Sequence, residues 1–146
     1  MRHCGSLDLR AFGVATTTGE VLPFFTGSDL LREQGLTGPA KRLRFAEGRL
    51  DLCGVTVDSY FASMAADFLR AQLLEQRASF TFETVMSHPS KVELLARAQR
   101  AGYRTYLYYV ATDDPAINIS RVQNRVNLNG HDVPPDLVEK RYHRSL

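Results

Sequence analysis

From Val57 to about Glu75, apolar side chains recur at helical spacing: Val57, Tyr60, Phe61, Met64 and Phe68 form one stripe, while Ser59, Ser63, Asp67 and Arg70 fall on other faces. The pattern predicts an amphipathic helix. The period then shortens. Between Ser79 and Met86, Phe80 and Phe82 alternate with Ser79, Thr81 and Glu83, which predicts a strand. Pro89 suits a first helical turn, and Ser90 and Glu93 have the spacing of a capping box. Val92, Leu94, Leu95 and Ala98, closed by Gly102, outline a second helix. Tyr103 to Ala111 is rich in aromatic and β-branched residues, and its Leu107-Tyr108-Tyr109-Val110 stretch predicts a strand buried on both faces.

Strand, helix and strand with short links make a βαβ unit, which crosses over right-handedly and gives parallel neighbours. The predicted class is therefore α/β, a parallel sheet with flanking helices. Asp114 and Pro115 open a third helix, expected to turn Ile117, Val122 and Val126 inward and to stop near Gly130. After the loop His131-Asp132-Val133-Pro134-Pro135, a last helix begins near Asp136 and is still running at Leu146. Two strands are few for the apolar area offered, so the sheet is expected to be incomplete, with neighbouring strands missing at both ends.

The first third reads as irregular, because glycines from Gly5 to Gly38 divide it into short pieces. A short helix capped by Ser28 or Asp29 and ending at Gly35 fits there. Lys41 to Phe45 and Arg49 to Leu52 alternate in character around Ala46-Glu47-Gly48, the signature of a β-hairpin. The expected organisation is a single domain, with residues 1–55 as an irregular insertion bearing the hairpin and 56–146 as a βαβ core with lid helices.

The 146 residues carry a net charge of +2, from 18 basic and 16 acidic side chains, a balance that gives no argument for a nucleic-acid partner. Basic residues gather late in the chain, in Lys140-Arg141-Tyr142-His143-Arg144 and at Arg121 and Arg125, so an anionic ligand is expected in that quarter. No segment approaches the roughly 20 apolar residues of a membrane span. Cys4 and Cys53 lack any metal-ligand spacing, which argues against zinc; they are expected to be free thiols in a reducing compartment. The first ten residues have no signal-peptide pattern, so a cytoplasmic protein is expected.

In open α/β sheets ligands gather beyond the carboxyl ends of the strands. That rule selects Glu83-Thr84 through Ser87, and Thr112 to Asp114. Arg121 and Arg125 are four apart on one predicted helix, so both guanidinium groups can face one anion, and the planar fork of arginine suits phosphate. The same positions also read as solvated surface residues, and so does His131.

Taken together, Val57-Asp58-Ser59-Tyr60-Phe61, Ser79 to Ser87, Gly102 to Tyr108, Gly130-His131-Asp132-Val133-Pro134 and Arg141-Tyr142-His143-Arg144-Ser145-Leu146 resemble the zeta toxin and predicted ABC-type ATPase family, in order and in spacing. The resemblance runs from about residue 55 to the end; before that, Leu7 to Gly13 resembles the segment after the family's first βα unit. It implies a P-loop kinase-like fold and a kinase that uses ATP and Mg²⁺ and phosphorylates a sugar nucleotide such as UDP-N-acetylglucosamine. Within it, Glu83 and Thr84 match substrate-binding positions, Arg121 matches a nucleotide phosphate-binding arginine, and Arg125 and His131 fall where a lid closes on the triphosphate. An antitoxin-like protein is an implied partner.

The family's G-x-x-x-x-G-K-[ST] loop does not occur in these 146 residues. In Gly13 to Glu20 the glycines are one residue too far apart, and Glu20 stands where lysine is required. The family's catalytic aspartate has no counterpart either, and Asp8 lies too far along to serve. The expectation is a partial kinase nearly inactive alone. The alternatives are a non-catalytic module that binds a nucleotide, sugar nucleotide or RNA, and an interaction domain completed by a strand of another chain.

Overall fold

A computed structural model describes residues 5–146, and the chain divides into one unit up to Phe80 and a second from Thr81. In the first unit, strand β1 (Ser6–Asp8) and the hairpin β2 (Arg44–Ala46) and β3 (Arg49–Asp51) form an antiparallel sheet in the order β1-β3-β2. Phe45 faces Leu50, and Leu50 in turn faces Leu7 across the other side of β3. The hairpin turns on two residues, Glu47 and Gly48, both at positive φ (50° and 76°), the geometry that matches the twist of the flanking strands. Gly48 has a second reason to be glycine: a Cβ there would lie 2.6 Å from the Arg10 side chain.

Asp8 ends β1 and starts a short 3-10 helix, Leu9–Phe12, by accepting the Arg10 N–H at 3.1 Å. The Arg10 guanidinium folds back onto the same carboxylate with two bonds of 3.0 Å, and Arg49 reaches it from β3 at 3.3 Å. Three helices follow where only one was expected: α1 (Thr18–Thr26), α2 (Asp29–Glu33) and α3 (Thr37–Ala40). Ser28 caps α2 by accepting the Leu31 N–H. Helix α4 (Ser59–Glu75) begins two residues later than the pattern places it, because Asp58 accepts the N–H groups of both Tyr60 and Phe61 and fixes the start there. Its buried stripe is accordingly Phe61, Met64, Phe68 and Gln72, and Val57 lies outside the helix and half-exposed.

The main hydrophobic core belongs to this unit: Leu9, Val14, Val21, Phe25, Leu31, Leu43, Leu50, Phe61 and Phe68 are all essentially inaccessible. Phe24, Phe25 and Phe68 pack as a ring cluster, with Phe24 edge-on to Phe68 at 5.1 Å. The glycine-broken first third is therefore the better-packed part of the chain. Gly13, Gly27 and Gly35 mark the ends of short elements there, and Gly19 and Gly38 lie within helices.

Cys53, just past β3, is engaged in a disulfide and is not the free thiol expected; Cys4 lies outside the described residues. No helix among the described residues is long and apolar enough to cross a membrane.

The second unit is built on α5 (Pro89–Arg100), α6 (Pro115–Asn127) and α7 (Pro135–Ser145), close to the predicted helices. The expected capping box of Ser90 and Glu93 does not form. Pro89 takes the first helical position, so the cap falls one residue earlier, on His88, whose Nδ1 accepts the Ser90 N–H at 3.2 Å. Ile117 is also not inward: it is exposed, and α6 and α7 hold no fully buried residue. Neither Ser79–Met86 nor Tyr103–Ala111 forms a strand among the described residues, so the fold observed is helical with one small antiparallel sheet.

Candidate functional site

All five candidate residues lie in the second unit. Glu83 and Thr84 are exposed in the stretch before α5. Thr84 is held by a local turn: its hydroxyl accepts the Met86 N–H at 3.2 Å while Met86 takes a positive φ of 53°. Glu83, at the start of that turn, forms no side-chain hydrogen bond or ion pair among the described residues. The expected Glu83 carboxylate is thus available, on a backbone that the neighbouring Thr84 turn fixes.

Arg121 and Arg125 lie one turn apart on α6, both exposed and neither paired with a carboxylate among the described residues. Elsewhere Arg32 bonds Asp29, Arg70 bonds Asp67 and Arg10 bonds Asp8, whereas Arg97, one turn from Glu93 on α5, forms no ion pair among the described residues. Helix α6 carries no acidic residue at all, so its two guanidinium groups have only solvent or a ligand to neutralise them. The helix is set at both ends. Asp114 accepts the Ala116 N–H at 2.7 Å, and Asn118 donates to the Thr112 hydroxyl at 2.9 Å.

At the other end Asn129, with φ of 61°, closes α6: its N–H donates to the Val126 carbonyl at 2.9 Å and the Gly130 N–H to the Arg125 carbonyl at 2.8 Å. His131 follows in the connection to α7, exposed and without a side-chain partner among the described residues. The structure therefore groups Arg121, Arg125 and His131 on α6 and its exit, while Glu83 and Thr84 occupy a separate segment; no hydrogen bond or ion pair links the two sets.

Two residues with no role in the sequence reading organise this module. Tyr142 on α7 donates its hydroxyl to the Thr112 carbonyl at 2.8 Å, and Ser145 donates to the Tyr142 carbonyl at 2.8 Å. Tyr109 reaches Ser145 at 3.4 Å. Thr112 thus ties the end of the 103–112 segment to both α6 and α7. Both residues lie in the basic run Arg141-Tyr142-His143-Arg144-Ser145, where no local pattern marks either as a tether.

Among the described residues there is no group of three or more His, Cys, Asp or Glu side chains able to hold a metal ion. In the Gly13–Glu20 stretch, Glu20 accepts the Thr17 N–H and the Thr17 hydroxyl at 2.8 Å each, and the Thr16 hydroxyl at 3.1 Å. Those hydrogen bonds, the Thr17 hydroxyl first, hold the Glu20 carboxyl below its usual range. The donors a phosphate would need are taken by the protein's own carboxylate, and the stretch is a helix cap.

A family model described as zeta toxin matches residues 54–145. The chain belongs to the zeta toxin family, whose members are of a kinase-like, nucleotide-binding class. A curated relative, an uncharacterized protein of Haemophilus influenzae, is 29% identical over 69 residues, covering 47% of this chain and 49% of the relative. The match thus spans about half of the relative's length. No solved structure matches the chain.

Proposed function

We propose that residues 56–146 form the substrate-side and lid portion of a zeta-toxin-like, ATP-dependent small-molecule kinase, to which residues 1–55 are an insertion. In that reading Ser79–Met86 and Tyr103–Ala111 are strands of a parallel, P-loop kinase-like α/β sheet. The acceptor is a sugar nucleotide such as UDP-N-acetylglucosamine, and an antitoxin-like protein is the regulatory partner. Glu83 and Thr84 contact the acceptor. Arg121 binds nucleotide phosphates, and Arg125 and His131 sit on the lid that covers them.

ATP with Mg²⁺ supplies the transferable phosphoryl group in the family. This chain's residues contribute the other half of phosphoryl transfer, positioning and charge neutralisation, in which an arginine is effective because its charge is permanent and its donors are planar. The observation that supports the reading best is the α6 arginine pair, exposed, one turn apart and free of any carboxylate, within the span that matches the family.

The test is calorimetric titration of the whole chain with UDP-N-acetylglucosamine and, separately, with pyrophosphate. Removing a charged hydrogen-bonding partner costs about 1.5–3 kcal/mol, so Arg121→Ala is expected to weaken both ligands by roughly tenfold or more. Glu83→Gln is expected to weaken the sugar nucleotide and leave pyrophosphate unchanged. The reading fails if neither ligand binds, or if Arg121→Ala binds both as the parent chain does.

A further inference from the structure

Neither α6 nor α7 holds a fully buried residue, so apolar packing alone does not fix how α6 presents Arg121 and Arg125. Two guanidinium groups hold one anion well only when the helix that carries them is set closely, to about 0.5 Å for a binding constellation. What sets α6 is polar, and it converges on Thr112. The Thr112 hydroxyl accepts from the Asn118 side-chain amide at 2.9 Å and donates to the Asp114 carbonyl at 3.2 Å. It thus grips the helix at its cap and again one turn inside. Asn118, Arg121 and Arg125 follow one another at intervals of three and four residues, the spacing of a single stripe along α6. The amide that Thr112 holds therefore heads the stripe that carries both arginines.

The main-chain side of Thr112 is held from α7. Tyr142, half-buried and with its ring edge-on to His143 at 5.2 Å, donates its hydroxyl to the Thr112 carbonyl at 2.8 Å. A continuous chain of contacts runs from the Tyr142 hydroxyl through Thr112 to Asn118 and the arginine stripe. Helix α7 has a separate tie to the segment before Thr112: Tyr109 reaches Ser145 at 3.4 Å, and Ser145 donates to the Tyr142 carbonyl at 2.8 Å. Docking of α7 thus has its own contact, and the Tyr142 hydroxyl is the group that carries the position of α7 to Thr112.

We infer that Tyr142 is a positioning residue for the anion site: through Thr112 and Asn118 it sets the stripe on which Arg121 and Arg125 receive a phosphate-bearing ligand. This role rests on the anion binding proposed for those arginines. Tyr142 need not touch the ligand, because its effect passes through the helix. Phenylalanine would fill the same space but has no donor for the Thr112 carbonyl, and valine in place of Thr112 would keep the branched shape but lose the grip on Asn118.

Calorimetric titration of the whole chain with pyrophosphate tests this, using Tyr142→Phe, Thr112→Val and the two combined. Losing one neutral hydrogen bond changes an equilibrium by about three- to tenfold, and each single variant is expected to bind pyrophosphate more weakly by that factor. Both cuts fall in one chain of contacts, so the double variant is expected to bind no more weakly than the worse single variant. Titrations on variants with unchanged circular dichroism, far from their unfolding midpoints, are not moved by a role in stability alone. Without ligand, Tyr142→Phe is expected to speed hydrogen exchange of the α6 amides from Asn118 to Arg125 and to leave α5 unchanged. Parental affinity or parental α6 exchange in Tyr142→Phe overturns the inference, as do losses that add in the double variant; in each case a loss in Arg121→Ala still upholds the arginine site. If the parent chain does not bind pyrophosphate, the arginine site falls and the role of Tyr142 falls with it.

Discussion

Gly130 lies directly against Arg125: its N–H donates to the Arg125 carbonyl at 2.8 Å, and a Cβ at position 130 would lie 2.9 Å from that carbonyl oxygen and collide with the Arg125 Cγ. The glycine is set by close approach, and the carbonyl it meets belongs to a helix that cannot yield cheaply. Gly130→Ala is expected to cost about 1–3 kcal/mol through strain in the α6 exit. The check is the urea midpoint of the variant, with an unchanged slope. An unshifted midpoint would mean that the exit relaxes freely and does not fix Arg125.

Helix α4 closes through Arg77, which adopts a φ of 55°, while the Arg77 and Ala78 N–H groups donate to the Leu74 and Leu73 carbonyls at 3.2 and 2.9 Å. A left-handed conformation costs a residue with a Cβ roughly 1–2 kcal/mol, and glycine returns part of that gain as chain entropy. Arg77→Gly is expected to stabilise the protein by about 0.5–1 kcal/mol, seen as a higher urea midpoint. A lower midpoint would show that the exposed Arg77 side chain contributes more than the strain it imposes.

Acid should weaken the first unit in a defined window. The Arg10 guanidinium bonded to Asp8 lowers that carboxyl from 3.8 to about 2, with Arg49 adding to the effect. A carboxyl whose folded pKa is depressed contributes stability that is complete above its unfolded value and disappears as the pH falls through the folded one. The Asp8 contribution is thus intact at neutral pH and lost between 3.8 and about 2; Glu20, also lowered, has the same sign. Asp8→Asn is expected to be less stable than the parent at neutral pH and to lose less as the pH drops through that window. Urea midpoints at neutral pH and through the acid range check both statements, and parallel curves for parent and variant would contradict them.

Where one residue type dictated one outcome, the sequence was a sufficient guide. Asp114 and Ser28 cap the helices their positions suggest, Pro115 opens a helix at N1, and Glu47-Gly48 turns a hairpin. Competing signals produced the misreadings. Pro89 and Ser90 both mark a helix start, and the proline, with its fixed φ, moved the cap to His88. Thr17 and Glu20 have capping-box spacing, but the surrounding glycines drew comparison with a phosphate loop and hid α1. Periodicity, by contrast, identifies an apolar segment without specifying its partner: Tyr103–Ala111 has the pattern of an interior strand, and among the described residues no neighbouring strand pairs with it. Of the candidate site, the placement of Arg121 and Arg125 on one helix face was legible from their spacing. The fixing of that helix through Thr112 and Tyr142 was not, because a tyrosine hydroxyl meeting a carbonyl 30 residues away leaves no local mark.

Helices α4, α5 and α6 leave by the same left-handed step, with Arg77, Gly102 and Asn129 in turn at the pivot. The recurring unit is thus a gesture of the backbone and not a string of letters, which is why no internal repeat can be seen in the alphabet of the chain. Tolerance to change at these three pivots should follow handedness, with glycine and asparagine interchangeable there and β-branched residues rejected, whatever the polarity of the newcomer.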